Sequence, residues 1–523
     1  MPTIEELKKV RIQKLKAIEK AGLLAYPSET KRTHSVGEAL NSFPKLSKGK
    51  KVIVLAGRIM AQRGHGGATF LDIYDGSEKI QAILKEDKLG EKGYKFFIDY
   101  FDIGDFIEVK GTLLITKRGE KTIEAQDYKM LAKSLLPLPE KWHGLLDIEE
   151  RLRKRYLDIL FNPEVKEMIK KRAVFWNSIR EFLMEKGFLE VETPVLETTT
   201  GGADAKAFET HHNALDIDLY LRISMGELWQ KRLMIAGFEK TFEIGRQFRN
   251  EGMDAEHLQD YTQMEFYWAY VDYKQGMKLV EEMYKYVIKK TFGTLKFKIK
   301  NFSIDFSKKW EIYDYATTIS KYAKINILEA SLPEMEKQLV KLNINYDKKG
   351  FNRTRAIDNL WKYCRKNIAG PGFLINLPID VSPLAKRVEE KSPSPSGSGP
   401  SAKIAQRFQI ILAGSENGNG YSELNNPIDQ AERFTEQQKL REQGDQEAQM
   451  FDHDFVQALE YGMPPACGFG VSERLFSFLM DKPARECQIF PLMRSKLEYQ
   501  LDAVKKLLQE SKSKKLKKKI ADI

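Results

Sequence analysis

The segment from residue 241 to residue 271, TFEIGRQFRNEGMDAEHLQDYTQMEFYWAYV, combines side chains that can bind an anion with a pattern that can position them. Two runs typical of β-strands flank a polar loop that begins with Arg249 and Glu251, and Arg246 and Gln247 stand just before it. An arginine binds a phosphate or a carboxylate through two parallel hydrogen bonds, whereas a lysine offers a point charge. The same pattern is typical of an antiparallel hairpin with a salt-bridged surface loop. Taken alone, the segment does not decide between the two interpretations.

Length, charge and cysteine content limit the class of protein to which this loop can belong. The chain has 523 residues, enough for two or three domains, and its formal net charge of +11 favours a polyanionic partner. Cys364, Cys467 and Cys487 are too few and too scattered for a disulfide framework or a zinc site, which fits a reducing compartment. The N-terminus lacks the apolar core of a signal peptide, and no run approaches the roughly 20 apolar residues of a membrane span. We therefore expect a cytoplasmic protein with no membrane partner.

The first part of the chain is predicted to contain a helix and then a small barrel. Residues 4–21 have the pattern of a basic amphipathic helix, within an N-terminal basic helical extension at residues 1–50. Its lysines and arginines form either a solvated face or a contact with RNA. Residues 51–140 contain five short β-rich runs separated by glycine-bearing turns, with a helical interruption near residues 91–100. This pattern predicts a five-stranded barrel of the OB type.

A second domain is predicted at residues 141–495. Helices and strands alternate irregularly there, which indicates an antiparallel sheet flanked by helices, and neither a G-x-G-x-x-G nor a P-loop motif is present. The fold class is therefore α+β. We expect an internal insertion at about residues 296–370 and a mobile Ser/Pro/Gly loop, which is a possible lid, at residues 389–403. Residues 496–523 are predicted to form a basic C-terminal helix or tail, and the charge run there predicts a contact with RNA.

Three segments of this second domain follow one another in a recognisable order: GFLEVETPVLE at residues 187–197, FRNEG with the strand after it at residues 248–271, and GFGVSERLFSFL at residues 468–479. They resemble motifs 1, 2 and 3 of the class II aminoacyl-tRNA synthetases. GGADAKAFETHHNALDIDLYLRIS, VSPLAKR, GNGYSELNNPIDQAERF and QIFPLMR make the chain most similar to the class II lysyl-tRNA synthetases, over about residues 50–494. The HIGH-like and KMSKS-like signatures of class I synthetases are absent.

The resemblance implies an OB-fold anticodon-binding domain followed by a class II catalytic domain. It implies ATP-dependent ligation of L-lysine to tRNA(Lys) through a lysyl-adenylate, with release of AMP and diphosphate. It also implies Mg²⁺ as cofactor and a homodimer formed through the motif 1 helix and the strand around Pro194.

The same resemblance assigns ATP-binding roles. Arg249 matches the motif 2 arginine that holds the α-phosphate and the amino-acid carboxylate, and Arg474 matches the motif 3 arginine near the γ-phosphate; these two are the expected catalytic residues. Glu251 matches a residue near the adenine amino group, His257 one near the tail phosphates, and Tyr261 the aromatic stacked on adenine. Outside this motif order, a lone histidine or tyrosine is more often structural.

Lysine recognition requires buried carboxylates for two ammonium groups. By resemblance, Glu227 and Glu265 lie around the α-ammonium, and Glu423 pairs with the ε-ammonium beside Tyr267. The remaining residues expected in the lysine pocket are Gly202, Arg249, Asn419 and Tyr421. Leaving a buried carboxylate such as Glu423 unpaired costs about 3 to 5 kcal/mol, which disfavours aspartate and asparagine as substrates.

Three features depart from the family pattern. In motif 3, GFGVSER is one residue shorter between its last glycine and its acid than the commoner GxGxGxxR form. Glu416 resembles a magnesium-binding carboxylate, but its usual partner, a glutamate seven residues earlier, is Gln409 in this chain, so the number of magnesium ions is open. The segment from Arg222 to Glu227 is one residue longer than usual.

In the predicted barrel, Arg58, Phe70 and Gln81 match the anticodon-contacting positions of the family. There an aromatic side chain stacks on an unpaired base and a glutamine reads its edge. The alternative for Phe70 is a place in the barrel core.

Three rival interpretations remain. An aspartate or asparagine synthetase would differ in the Glu423 pocket. A paralogue that ligates lysine to a protein would lack the barrel. A tRNA-binding protein with an inactive site would have lost Arg249, Glu251 or Arg474, all of which are present.

Overall fold

The computed structural model describes residues 2–139, 147–379, 382–388 and 404–495, except residues 204, 253, 347, 349, 350, 445 and 446. The chain folds into two compact units, Met1–Leu146 and Asp147–Ile523. The predicted Ser/Pro/Gly loop at residues 389–403 and the predicted C-terminal helix at residues 496–523 lie outside the described residues. Within the described ranges, no helix has the length and apolar character needed to cross a membrane.

A closed five-stranded barrel forms most of the first unit, with the strand order β1-β2-β3-β5-β4. Its strands are β1 (Ile53–His65), β2 (Ala68–Tyr74), β3 (Lys79–Lys85), β4 (Phe106–Ile115) and β5 (Lys121–Ala132). Alternate residues of β2 are buried, Leu71 and Ile73 among them, because successive side chains of a strand point to opposite faces. Four helices accompany the barrel: α1 (Ile4–Lys20), α2 (Val36–Asn41), α3 (Phe43–Lys48) and α4 (Glu86–Tyr100). Helix α4 is the predicted interruption between β3 and β4.

Helix α1 packs against the barrel through side chains that the sequence pattern assigned to an exposed basic face. Arg11 is buried, not exposed, and it donates hydrogen bonds of 2.9 to 3.2 Å to the backbone carbonyls of Ile103, Ser134 and Leu136. Lys14 forms an ion pair with Asp102, with 2.7 Å between Nζ and Oδ1. A guanidinium group with five N–H donors can satisfy several carbonyls at once. These two basic residues therefore anchor the helix, and Lys9 and Lys16 are exposed.

The second unit is built on an eight-stranded sheet in the order β14-β15-β16-β17-β18-β11-β10-β6. The pairs β14/β15 and β10/β6 are parallel, and the other neighbouring pairs are antiparallel. Its strands are β6 (Leu189–Glu190), β10 (Lys240–Phe248), β11 (Asp260–Ala269), β14 (Glu311–Asp314), β15 (Gly372–Ile375), β16 (Arg407–Leu412), β17 (Ser415–Ser422) and β18 (Ala466–Ser472). Two smaller sheets contain β7 (Leu196–Glu197), β8 (Glu209–His212) and β9 (Ile217–Leu221), and β12 (Lys296–Ile299) and β13 (Phe302–Asp305).

Eleven helices of the second unit lie within the described residues. They are α5 (Ile148–Arg153), α6 (Arg155–Phe161), α7 (Pro163–Glu185), α8 (Glu227–Ile235), α9 (Tyr273–Phe292), α10 (Tyr315–Ala323), α11 (Leu332–Lys341), α12 (Arg353–Arg365), α13 (Pro427–Glu442), α14 (His453–Glu460) and α15 (Arg474–Leu479). Within the predicted insertion at residues 296–370, helices α10, α11 and α12 share their own apolar cluster.

One face of the large sheet is aromatic and belongs to the core that includes α7 and α9. Phe266, Phe469 and Phe408 come from β11, β18 and β16, and Gly420 of β17 lies between the last two in the register. Phe408 and Phe469 stack with their ring centroids 5.8 Å apart and their planes at 4°. A Cβ on Gly420 would lie 2.6 Å from Phe408, so only glycine permits this stacking. The residues on either side of these aromatics therefore point to the opposite face of the sheet.

Candidate active site

The face of the sheet opposite the aromatic layer forms the floor of a cavity of about 400 Å³. A row of register partners crosses this floor: Glu265 on β11, Gly470 on β18, Asn419 on β17 and Gln409 on β16. A second row lies two residues along each strand and consists of Tyr267, Gly468, Tyr421 and Arg407. The antiparallel register therefore gathers polar side chains from distant parts of the sequence into one concave surface.

Two glycines of β18 make room for the charged groups beside them. A Cβ on Gly468 would lie 2.2 Å from Oε1 of Glu423 and 2.6 Å from the ring of Tyr267. A Cβ on Gly470 would lie 3.1 Å from Cγ of Glu265. The first contact is impossible for real atoms, so any other residue at position 468 would displace either the carboxylate or the tyrosine.

The structure brings together every site residue that was predicted in the second unit. The cavity is lined by Gly202, Glu227, Arg249, Glu251, His257, Tyr261, Glu265, Tyr267, Gln409, Glu416, Asn419, Tyr421, Glu423 and Arg474. The predicted residues of the barrel belong to the first unit and are described separately below.

The sequence of the β10–β11 hairpin was typical both of a salt-bridged surface loop and of an arginine placed to bind an anion. The structure contains a surface ion pair and an arginine that faces the cavity, formed by different residues. Arg246 forms a surface ion pair with Asp260, with 2.7 Å between Nε and Oδ1. Arg249 lines the cavity, donates from Nε to the carbonyl of Ile223 at 3.3 Å, and lies 5.9 Å from the ring centre of Tyr261. The salt-bridged loop is thus formed by Arg246, and Arg249 is the arginine that faces the cavity.

Glu265 is a fully enclosed carboxylate with several neutral hydrogen-bond donors. Its Oε1 accepts from the backbone N–H of Met225 at 3.0 Å and from Gln263 at 2.5 Å, and its Oε2 accepts from the hydroxyl of Tyr267 at 2.9 Å. Burial and the neighbouring Glu227 raise the pKa of Glu265 to about 7, against the effect of these donors. The carboxylate is therefore placed to bind a cation near neutral pH.

Lys231 of α8 is a residue of this region that the sequence analysis missed. Its side chain is fully buried, and Nζ lies 2.6 Å from a carboxylate oxygen of Glu227 and 2.6 Å from one of Glu423. Burial lowers the pKa of Lys231, but the two carboxylates outweigh it and the net change is upward. The four-residue spacing between Glu227 and Lys231 is visible in the sequence, yet it is also the spacing of ordinary exposed helix pairs.

The carboxylates at this end of the cavity outnumber the buried cations. Glu227, Glu265 and Glu423 contribute three negative charges if all are ionised, and Lys231 contributes one positive charge, which leaves an excess of two. Burial holds the pKa of Glu423 above its usual range against the pull of Lys231, and its Oε1 has no hydrogen-bond partner among the residues that the structure describes. A ligand with two positive groups matches this arrangement.

A tight glycine turn at the start of α8 positions Glu227. Gly226 precedes the helix with a φ of 65°, and a Cβ there would lie 2.0 Å from Oγ1 of Thr193. Glycine adopts this left-handed conformation without strain. After this turn, Glu227 begins the helix and lines the cavity.

The donor set near Glu416 can be tested for its fit to a magnesium ion. Glu416 accepts a hydrogen bond from Nε1 of Trp361 at 2.6 Å and forms an ion pair with Arg365 at 2.9 Å. Gln409 adds a neutral amide oxygen to the cavity wall, and no cluster of three or more His, Cys, Asp or Glu residues suited to a metal occurs among the described residues. Mg²⁺ is commonly bound by one or two carboxylates together with substrate phosphates. The donor set fits an ion that arrives with a phosphate ligand.

The three predicted barrel residues share the outer side of β1, β2 and β3. Arg58, Phe70 and Gln81 are all partly exposed, and the register places Tyr74 opposite Arg58 and Asp72 opposite Gln81. Phe70 lies outside the buried core of the barrel, unlike Leu71 and Ile73. Arg58 covers the ring of Phe106 at 4.2 Å and donates to the carbonyl of Gly104 at 3.1 Å.

Comparisons with known proteins agree with this geometry. The family model described as class II tRNA synthetases (D, K and N) matches residues 147–494, and that of the OB-fold nucleic acid binding domain matches residues 53–131. The chain is 43% identical over 498 residues to the lysine-tRNA ligase of a Thermoanaerobacter species, covering 94% of this chain and 97% of the relative. It is 40% identical over 497 residues to that of Thermosipho africanus (94% and 96%) and 42% identical over 495 residues to that of Carboxydothermus hydrogenoformans (94% and 98%). The predicted fold class and the predicted resemblance are confirmed.

The first prediction concerns the buried cation. Lys231→Met leaves Glu227 and Glu423 without their shared ammonium, which is expected to cost about 3 to 5 kcal/mol of stability near neutral pH. A carboxyl with a raised pKa in the folded state takes up a proton at low pH, so the loss should be larger at pH 8 than at pH 5. Thermal unfolding followed across this pH range measures it, with the exposed Lys309→Met as control.

The double variant Lys231→Met/Glu423→Gln should be less destabilised than Lys231→Met, because it removes one of the unpaired charges. Equal destabilisation of both, or a loss independent of pH, would contradict the assigned role of Lys231.

Proposed function

The chain belongs to the class II tRNA synthetases for aspartate, lysine and asparagine, and from this premise we propose that it is a ligase that joins L-lysine to tRNA(Lys). The reaction uses ATP, proceeds through a lysyl-adenylate, and releases diphosphate and then AMP. The observation that carries the choice of lysine is the excess of two carboxylates over buried cations at one end of the cavity.

Lysine matches this end of the cavity better than the other two amino acids of the family. Its α-ammonium and ε-ammonium supply two positive charges, to be taken by Glu265 with Glu227 and by Glu423 respectively. Burial and neighbouring carboxylates raise the pKa values of Tyr267 and Tyr421 well above 10, so both remain neutral hydroxyls beside the aliphatic chain. Aspartate or asparagine would supply no side-chain ammonium, so Lys231 alone would have to offset both Glu227 and Glu423, and the charge left unpaired would cost about 3 to 5 kcal/mol.

In the first step, the lysine carboxylate attacks the α-phosphorus of ATP, a new C–O–P bond forms, and diphosphate leaves with the electrons of the broken bond. Arg249 binds the carboxylate and the α-phosphate and offsets the charge that develops on the phosphorus. No proton transfer is needed, which fits a site whose central group is a permanently charged guanidinium. Glu251 and Tyr261 would hold the adenine, and His257 and Arg474 the tail phosphates.

In the second step, a hydroxyl at the 3′ end of tRNA attacks the carbonyl carbon of the adenylate and AMP leaves. The barrel supplies a separate contact with the tRNA. Phe70 is available on its outer side for stacking on an unpaired base, and Gln81 for hydrogen bonding to a base edge. Arg58 contributes a positive charge on the same side.

Magnesium enters this proposal as an ion bound together with ATP. Glu416 would supply a carboxylate ligand and Gln409 an amide oxygen, and the phosphates of ATP would supply the rest. When bound, the ion offsets phosphate charge and favours departure of diphosphate. We also propose a cytoplasmic location, where tRNA and ATP are present.

Exchange of labelled diphosphate into ATP tests the function. Lysine should stimulate it, and aspartate, asparagine and the other amino acids should not. Arg249→Ala should reduce the exchange by at least about a hundredfold, because it removes charge stabilisation at the reacting phosphorus. Arg246→Ala, three residues earlier on β10, is the matched control, because Arg246 pairs with Asp260 at the surface.

Stimulation by aspartate or asparagine, or by no amino acid, would refute the assignment. Near-normal exchange by a folded Arg249→Ala protein would remove Arg249 from the mechanism.

The raised pKa of Glu265 gives a prediction for lysine binding. Below a pKa of about 7 the carboxyl is protonated and cannot pair with an ammonium, so the KM for lysine should be about tenfold lower at pH 8 than at pH 6. Calorimetric titration with lysine at pH 7 in buffers of different ionisation enthalpy should show proton release. The KM for ATP over the same range is the control, and a flat KM for lysine would contradict the prediction.

Dimerisation through the motif 1 region is a further part of the proposal. Large apolar side chains are exposed there, among them Leu189 (49%), Val195 (41%) and Leu196 (48%), and such patches mark protein interfaces. Leu196→Glu is expected to convert a dimer to a monomer in sedimentation velocity at micromolar concentration. Tyr461→Glu, at an exposed apolar residue outside this region, is the control. A wild-type monomer, or a dimer unaffected by Leu196→Glu, would exclude this interface.

A further inference from the structure

The end of the cavity opposite the three carboxylates contains a glutamate that the proposed reaction has not used. Glu256 lies in the loop between β10 and β11, and its side chain is 27% exposed. Its Oε2 accepts hydrogen bonds from Arg474 and, at 2.9 Å, from the hydroxyl of Ser415. Its Oε1 lies 3.3 Å from Nζ of Lys300. Three donors from three separate segments therefore converge on one carboxylate.

These donors form a site for an anion. Arg474 begins α15, Ser415 begins β17, and Lys300 lies in the turn between β12 and β13. A guanidinium, an ammonium and a hydroxyl are the side chains that bind phosphate oxygens in proteins. Although burial raises the pKa of Glu256, Arg474, Ser415 and Lys300 together hold it below its usual value, so the occupant is an ionised carboxylate.

Lys300 is held in place by contacts other than Glu256. Its ammonium lies 4.7 Å from the ring centre of Phe478, and its backbone N–H donates to Oδ1 of Asp481 at 3.1 Å. The guanidinium of Arg474 lies 5.7 Å from the same ring. Both cations thus share the face of one aromatic side chain, and their positions do not depend on the glutamate alone.

The backbone around Glu256 is fixed as well. The carbonyl of Ala255 accepts a hydrogen bond from the N–H of Ala484 at 2.8 Å. Oδ1 of Asp254 accepts from the N–H groups of Glu256 at 2.7 Å and of His257 at 2.8 Å. Rotation of the Glu256 side chain is therefore enough to empty the anion site without moving the loop.

We propose that Lys300 and Ser415 bind the terminal phosphate of ATP together with Arg474, and that Glu256 is the internal occupant of this site and is displaced when the phosphate enters. The inference rests on the proposed function, in which Arg474 faces the tail phosphates. A carboxylate that remained in contact with Arg474 would repel the phosphate placed beside it. The state in which Glu256 occupies the site therefore competes with ATP. The apparent Kd for ATP equals the intrinsic Kd divided by the fraction of molecules in which the site is empty.

Calorimetric titration with ATP, diphosphate and AMP tests the proposal, in the presence of Mg²⁺ and without lysine or tRNA. Glu256→Gln keeps the size of the side chain and removes its charge, so it should tighten the binding of ATP and diphosphate by about threefold to tenfold and leave AMP unchanged. Lys300→Met should weaken ATP and diphosphate by about tenfold, again with AMP unchanged. The exposed Lys298→Met, on the same hairpin, is the matched control and should bind ATP like the wild type.

Several outcomes would overturn the proposal. Unchanged ATP affinity in Glu256→Gln would show that the carboxylate does not compete with phosphate. Weaker ATP binding in Glu256→Gln would show that the carboxylate supports ATP, for example through magnesium. An equal change for AMP and ATP would assign the effect to the loop as a whole. The same measurements distinguish failure of the proposed function from failure of this inference. If the wild-type protein binds ATP but shows no lysine-stimulated exchange, lysine ligation is refuted and the anion site is unaffected.

Discussion

The burial of three carboxylates beside a single ammonium is the constraint on which the rest of the catalytic unit depends. Glu227 begins helix α8, Glu265 lies on β11 and Glu423 directly follows β17, and none can be enclosed without compensation. Lys231 supplies part of that compensation from behind the cavity wall. Gly468 leaves the space, and the hydroxyls of Tyr267 and Tyr421 donate to Glu265 and Glu227. The packing, the glycines and the tyrosines therefore all serve the burial of these three carboxylates. If all three are ionised, two negative charges remain after pairing with Lys231, and the proposed substrate would supply the two matching cations.

In the proposed reaction, the three buried carboxylates at one end of the cavity and Arg249 further along would orient an amino acid before any reaction begins. Glu227, Glu265 and Glu423 lie at one end, and Arg249 and Arg474 line the remainder of the cavity together with Glu251, Glu256 and Glu416. A lysine molecule can satisfy both ends in one direction only, with its ammonium groups among the carboxylates and its own carboxylate at Arg249. The substrate is then held in line for attack on an α-phosphate, and much of the entropic cost of bringing two reactants together is met by binding.

The sequence predicted the strands and site residues that lie within contiguous motifs. It did not predict side chains whose contacts depend on residues far away in the sequence. The barrel strands and the residues around Arg249 followed from alternation and from motif order. Lys231 was not predicted, because a spacing of four residues from Glu227 is found in buried helix pairs and in exposed ones. Glu256 gave no signal at all, since Ser415 and Lys300 come from separate segments. Arg11 was assigned to the wrong face because its carbonyl partners lie 92 to 125 residues later.

The carboxylates that are proposed to select the substrate reduce the stability of the protein without a ligand. The pKa of Glu265 rises to about 7 on folding, so between its ordinary value near 4.5 and pH 7 the folded state binds more protons than the unfolded state. By linkage, the contribution of this group to stability is greatest at low pH and falls as the pH rises through that window. An ammonium bound at Glu265 favours the ionised form and lowers its pKa, which reverses the effect. In the proposed function, Glu265 thus lowers the stability of the site without ligand and raises its affinity for lysine, which explains why a better packed, neutral residue could not replace it.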